Sequence, residues 1–299
     1  MPNPVAVAGG QFRLTDVLKG WRLVGGRTSY DAAEVTWQDG MLSLHRAPDS
    51  RSHFCMSFAG VADFEVDPEA RLIVVDQRHS PSPETLRHLV LDQIWPRVLA
   101  HCGTFVLHGA GVSAANGAVL LIGATRSGKS TLAASLHGRG YPMMGDDAMI
   151  VSTEDHPKAR AVYQSLRLFP DSIAQVIGRD AKRSPVADYI EKWNIEFSDP
   201  PPAEEPLPIR AIFLLDTQVT TEISLERVDG AAAAFALLEQ SFALDPIDAA
   251  MASDRLRQAS VIAQQVPFFA LAYPRNYGDL AAVHEVIVNA ASAGRALAE

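Results

Sequence analysis

The stretch "GATRSGKSTLAASLHGRGYPMMGDDAMIV", Gly123 to Val151, holds two groups of residues whose types and spacing could do chemistry. Gly123, Ala124, Thr125, Arg126, Ser127, Gly128, Lys129, Ser130 and Thr131 fit the pattern G-x-x-x-x-G-K-[ST] in full. Glycines at the fixed positions let successive backbone N–H groups turn inward around phosphate oxygens. A helix that follows adds the positive end of its dipole. Lys129 then brings a mobile charge to the outer phosphates, and the Ser130 hydroxyl is placed to coordinate Mg²⁺. The pattern implies a bound nucleotide, but neither hydrolysis nor transfer. Arg126 is either one more phosphate contact or a solvated arginine.

Asp146 and Asp147 come seventeen and eighteen residues after Lys129. That leaves room for one short helix, "STLAASLHGRG", and a return strand, "YPMM", adjacent to the strand that leads into the loop. Neighbouring side chains on an extended backbone point in different directions. One carboxylate could therefore hold a metal through Ser130 and water while the other faces an incoming hydroxyl. Phosphoryl transfer needs this division: charge neutralised at the phosphates, and a carboxylate that orients and deprotonates the nucleophile. The plainer alternative is that "GDD" is a polar turn. Upstream, His108 interrupts the apolar "VLHGAGV". It is either a hydrogen-bonded core histidine or a neighbour of the carboxylates, in which case an imidazolium would favour their ionised form.

The elements that must position these residues form an α/β pattern. "TFVLHGAGVSA" and "GAVLLIGA" read as strands joined by the turn "ANG", followed by a helix from about Lys129 to Gly138 and a strand at "AMIVS". Downstream, "IRAIFLLD" and "VPFFALAYP" are strands, while "GAAAAFALLEQSF" and the segment from about Asp279 are helices. "FSDPPPAEEPLP" is a surface loop or flap, because an apolar strand resumes directly after it. The first eighty residues instead show short alternating strands, with a hairpin signal at Asp39-Gly40. A helix with Ser82 as cap and Pro83 in its first turn follows, carrying an apolar stripe through Leu86, Leu89, Val90 and Ile94; Pro96 is expected to kink or split it. The chain is accordingly divided near residue 80, into a small β-rich module at 1–80 and an α/β nucleotide-binding domain at 81–299.

Length and composition bound the rest. The chain has 299 residues, 47% of them hydrophobic, and a formal net charge of −9, enough for a substantial core. An acidic balance argues against a general nucleic-acid or anionic-membrane binder, which needs a basic field. No unbroken apolar run of about 18 residues suggests a membrane span. The start, "MPNPVAVAGGQFRLTD", lacks the basic region of a signal peptide, so a cytoplasmic protein is expected. Cys55 and Cys102 have no metal-type spacing and read as reduced, buried thiols.

"LHGAGVSAANGAVLLIGATRSGKSTLAASLHGRGYPMMGDDAMIV" resembles the catalytic core of bacterial HPr kinase/phosphorylase and its HPr-kinase-like relatives, in which a His-Gly strand, a phosphate loop, a short helix and a "DD" strand follow in this order. The similarity is strong over residues 105–151 and weaker through "SLRLFPDSI" to the C-terminus. The resemblance implies a PEP carboxykinase-like P-loop kinase domain that uses ATP and Mg²⁺. It implies Asp146 as general base for a serine hydroxyl with His108 beside it, Asp147 with Ser130 at the metal, and Lys129 with the loop on the phosphates. Arg167, in "LRLFPDS", becomes a substrate or phosphate contact, with a surface or structural arginine as the alternative. HPr kinases are oligomeric, so a homo-oligomer is implied as well.

This chain also departs from that family. Thr131 stands where HPr kinases carry Glu, "LPIRAIFLL" is at best a remnant of their "EIRGLGI" signature, and the first eighty residues differ. The departures point to relatives that phosphorylate another peptide or small protein, among them kinases associated with lasso-peptide biosynthesis. Two other readings stay open: a small-molecule kinase acting on a free hydroxyl metabolite such as serine, and an ATP-binding regulatory module without transfer.

Overall fold

The computed structural model describes residues 3–4, 17–18, 20–28, 35–46, 53–76, 78–178, 180–196, 205–218 and 220–293. Residues 197–204, most of the expected Pro-rich loop, lie outside these, as does most of the N-terminal stretch. The chain divides into two compact units: Met1–Cys102 with Pro185–Ile190 and Ala243–Met251, and the remainder.

The first unit is built on a seven-stranded sheet of β1 (Asn3–Pro4), β2 (Arg22–Gly25), β3 (Val35–Asp39), β4 (Leu42–Arg46), β5 (Phe54–Phe58), β6 (Ala62–Asp67) and β7 (Leu72–Asp76), in the order β1-β2-β7-β6-β5-β4-β3. Alternation is strict in β6, where Ala62, Phe64 and Val66 are buried while Asp63, Glu65 and Asp67 stay partly open. The β3–β4 hairpin turns at Gly40, with Asp39 opposite Leu42, as the Asp-Gly signal predicts.

The helix after Ser82 also falls in this unit, so the unit runs past residue 80. The Ser82 hydroxyl accepts from the Thr85 N–H at 3.2 Å, capping α1 (Pro83–His88). A π-helical stretch, Leu89–Ile94, leads into α2 (Trp95–His101). Pro96 follows directly on the widened π turn, and the expected single stripe is divided there between α1 and α2. Leu86, Leu89, Val90 and Ile94 are all buried, and the His101 ring meets Phe54 of β5 edge-on at 4.9 Å. Cys55 is buried with its thiol pushed up to about 12 by desolvation. Cys102, against expectation, is exposed.

The second unit is a mixed α/β structure. Its main sheet contains β8 (Phe105–Leu107), β9 (Gly109–Ala114), β10 (Gly117–Ile122), β11 (Met143–Gly145), β12 (Met149–Ser152), β13 (Lys158–Ala161), β17 (Leu207–Leu215), β18 (Ser224–Arg227) and β19 (Phe268–Ala272). The path runs β11-β9-β10-β17-β13-β12-β8, with β19 also on β17 and β18 on β19. β17 is the spine, parallel to β10 and β19 and antiparallel to β13.

β10 shows how the layers form. All six of its residues are buried, as in a strand covered on both faces. Val119 and Leu121 pack with Leu132 and Leu136 of α3 (Lys129–His137) and Val283 and Ile287 of α7 (Leu280–Ala293). Ala118, Leu120 and Ile122 pack on the other face with Ala233 and Leu237 of α5 (Gly230–Glu239) and Ala259 and Ile262 of α6 (Ala249–Gln265). Two elements were not anticipated: α6, whose buried contacts are Ala259, Ile262 and Ala263 among polar residues, and a small sheet of β14 (Arg167–Leu168), β16 (Ile190–Ile195) and β15 (Arg183–Ala187). Between β14 and that hairpin lie a single turn, α4 (Pro170–Ser172), and a π-helical stretch, Ile173–Ile177. No helix among the described residues is long and apolar enough to cross a membrane.

Candidate functional site

The loop between β10 and α3 has the conformation that its glycines permit. Gly128 caps α3 at φ +93, and a Cβ there would lie 2.7 Å from Arg275 Nη1 and 2.9 Å from the Tyr273 hydroxyl. Gly123 has φ +141 and would bring a Cβ to 2.8 Å from the Leu215 carbonyl. Both positions therefore exclude a side chain by space as well as by torsion. No side chain caps α3, so its first N–H groups remain available as donors to an anion. The Ser127 hydroxyl is buried and has no hydrogen-bond partner among the described residues. Ala124, Thr125 and Arg126 are exposed on the outer turn of the loop.

Lys129, only 6% exposed, folds back over the loop. Its ammonium donates to the carbonyls of Gly123 at 2.7 Å and Ala124 at 3.0 Å. Burial lowers its pKa to about 8; nearby Asp146 opposes the shift and Lys192 adds to it.

The two aspartates face different partners. Asp146 is buried. Its Oδ1 accepts from the Ser130 hydroxyl at 3.1 Å and from the Asp147 N–H at 3.1 Å, and its Oδ2 accepts from the Arg167 N–H at 3.2 Å. The Ser165 hydroxyl donates to the Asp146 carbonyl at 2.9 Å. Asp147 has φ +68, a left-handed conformation that Asp tolerates better than most residues but that remains uncommon. That turn swings its carboxylate the other way. Oδ2 pairs with the Arg167 guanidinium, and Oδ1 lies 3.4 Å from His108 Nε2. The structure thus sets Ser130 against Asp146 and His108 against Asp147, the reverse of the pairing that the motif resemblance implies. β11, which delivers the aspartates, is also one strand further from the loop than expected, because β9 lies between it and β10.

His108 sits at the bend between β8 and β9, outside either strand. Its backbone N–H donates to Gln240 O at 2.7 Å and its ring lies 5.9 Å from that of Phe242. Desolvation pushes the imidazole pKa down to about 3, with the Lys129 charge next in the same direction and Asp146 opposing. The side chain keeps 35% of its surface open, and the Asp147 carboxylate beside it favours the charged form. Burial comes first, and the Lys129, Arg167 and Lys192 charges add to it.

Arg167 is 4% exposed and belongs to the site through both its guanidinium and its backbone N–H, so it is no surface arginine. Thr131 faces away, its hydroxyl 3.0 Å from Ser172 Oγ. Three residues absent from the motif reading also converge: Ser165, Lys192 and Arg275. Arg275 donates to the Ser127 carbonyl at 2.5 Å and to the Asp216 carbonyl, and its guanidinium lies 4.4 Å from the Tyr273 ring centroid. No local pattern marks them, because Arg275 reaches a loop 148 residues away.

The donor set suits a nucleotide with Mg²⁺. Ser130 and Asp146 offer paired hard oxygens beside an N–H cradle, and Mg²⁺ in such sites takes few protein ligands, completing its shell with phosphate oxygens and water. The described residues contain no cluster of three or more His, Cys, Asp or Glu side chains that could hold a metal without such help.

No family model matches the sequence, and no curated protein matches it. One solved structure that aligns is titled "Structure of the Hpr(Ser) kinase/phosphatase from Coxiella burnetii", with 12% sequence identity, a TM-score of 0.28, and coverage of 65% of this chain and 98% of that one. A likeness of that size carries no argument about the chemistry of this chain.

Proposed function

We propose that the chain is an HPr-kinase-like phosphotransferase, moving the γ-phosphate of ATP to a serine hydroxyl on a peptide or small protein, with the precursor of a ribosomal peptide such as a lasso peptide as the favoured acceptor. The observation that carries this reading is the opposed aim of two adjacent carboxylates. Asp146 is turned to the Ser130 hydroxyl at the mouth of the phosphate loop, and Asp147 is turned to His108 and Arg167.

Each group then has one task. Bound Mg²⁺·ATP supplies the phosphoryl group and neutralises its charge. Ser130 and Asp146 would hold the metal, and the loop N–H groups with Lys129 would hold the phosphates. Asp147 would accept the hydroxyl proton through Oδ1, the oxygen with the looser contact, while Arg167 fixes its orientation through Oδ2. A neutral His108 can hydrogen-bond to the same Oδ1 without adding charge. This differs from the assignment implied by the motif, in which Asp146 is the base. The first unit contributes none of these residues and is the candidate for acceptor recognition.

The test is incubation with ATP and Mg²⁺ of candidate precursor peptides and of free serine, read by mass spectrometry for a gain of one phosphate. Phosphate on serine alone would replace the peptide acceptor by a metabolite. One observation favours the module without transfer: both oxygens of Asp147 already have partners. Tight binding of ATP with no labelled product from any acceptor or from cell extract would decide for that reading.

A further inference from the structure

The small sheet beside the carboxylates has a readable register. Arg167 lies opposite Asn194 and Leu168 opposite Trp193, and the Ile195 N–H donates to Leu166 O at 2.9 Å, continuing the ladder. Side chains alternate between faces, so Leu168 and Trp193 share one face while Arg167, Asn194, Phe169 and Lys192 share the other. The first face is assigned by packing: Leu168 is buried in the core over β10, and Trp193 packs against it. The second face is the one that puts the Arg167 guanidinium on Asp147. On it the Lys192 ammonium lies 5.1 Å from the centroid of the Phe169 ring, directly across the ladder. A cation on the face that carries Arg167 to Asp147 borders the carboxylates beside the loop.

We propose that Lys192 is a second phosphate-directed cation of this site, contacting the phosphoryl group during transfer. This rests on the proposed kinase reading. In that step the acceptor oxygen bonds to the γ-phosphorus and the bond to the β–γ bridging oxygen breaks. The electron pair leaves on ADP, and the hydroxyl proton passes to Asp147. Lys192 forms no bond; it balances charge on the peripheral phosphoryl oxygens, which matters most in the transition state. The Phe169 ring packs against the ammonium.

The test compares the full chain with Lys192→Met, which keeps the aliphatic stem on Phe169, and Lys192→Arg, which keeps the charge. Calorimetric titration with ADP and Mg²⁺, alone and with aluminium fluoride as the phosphoryl mimic, needs no known acceptor. Lys192→Met is expected to bind ADP as the parent does but to lose at least about tenfold in affinity for the aluminium fluoride complex, with Lys192→Arg recovering most of it. Equal affinity of parent and Lys192→Met for that complex overturns the proposal while leaving the kinase reading standing. Failure of the parent to bind ADP at all defeats the kinase reading, and this inference with it. With an acceptor in hand, a rise in acceptor KM at unchanged kcat would overturn the proposal in favour of an acceptor contact.

Discussion

The Ser130 hydroxyl donates to the Asp146 carboxylate at 3.1 Å, across sixteen residues of chain, while the Asp147 carboxylate turns to Arg167 and His108. The adjacent carboxylates therefore should not be interchangeable. Asp147→Asn is expected to lower transfer by about 10²–10⁴-fold and leave Mg²⁺·ATP affinity within a few-fold. Asn tolerates the left-handed backbone as Asp does, so the variant isolates the charge. Asp146→Asn should instead raise the Mg²⁺ concentration needed for binding. Nucleotide titrations at several Mg²⁺ levels separate the two, and a normal Mg²⁺ dependence for Asp146→Asn would restore the assignment implied by the motif.

Lys129 predicts a pH dependence. With a pKa near 8 in the folded chain, its ammonium is present at neutral pH and is lost above about 8. Affinity for ATP should fall across that range, by at most about tenfold per pH unit. Stability should move the other way. The unfolded lysine titrates near 10.5, so between about 8 and 10.5 the unfolded chain binds more protons and stability rises with pH. Lys129→Met should abolish both trends, as read from binding and melting curves taken in parallel.

Gly128→Ala adds a Cβ at φ +93, against Arg275 and the Tyr273 hydroxyl. A loss of about 1–3 kcal/mol of stability is expected from backbone strain, along with weakened phosphate binding. Denaturant unfolding measures the first and ADP titration the second; an unchanged midpoint would mean that the loop relaxes freely.

Arg275 ties the Ser127 and Asp216 carbonyls together. Arg275→Ala should cost about 1–3 kcal/mol through two lost charge-assisted bonds. It should also weaken ADP and ATP alike, because it shapes the loop without distinguishing the γ-phosphate. A selective loss for ATP would mean that the guanidinium touches the nucleotide itself.

Phe213 is fully buried in β17 and stacks on Phe269 at 5.4 Å. Phe213→Ala should destabilise by about 3–5 kcal/mol. Thermal unfolding checks this, and nucleotide affinity at low temperature should persist if the remaining sheet still holds the loop.

Much of the second unit was legible in the sequence. β10, α3, β17, α5, β19 and α7 appear close to where apolar runs and helical spacing put them, because each buries a face that its own residues define. α6 escaped because its buried residues include two alanines, Ala259 and Ala263, which leave little apolar pattern. β15 and β16 escaped because Pro185 and alternating charges disguise them.

The loop between β10 and α3 was legible in the sequence alone, for a physical reason. Its conformation depends on two glycines and on the start of the helix that follows, all within nine contiguous residues. The aim of the aspartates was decided only by the tertiary structure. It depends on the left-handed turn at Asp147, on Arg167 delivered by β14 to both carboxylates, and on His108 held at a bend by Gln240. Arg275 reaches the loop the same way, from 148 residues further along the chain. A motif can state which groups are present; only the ladders that bring distant segments together settle which oxygen faces which partner.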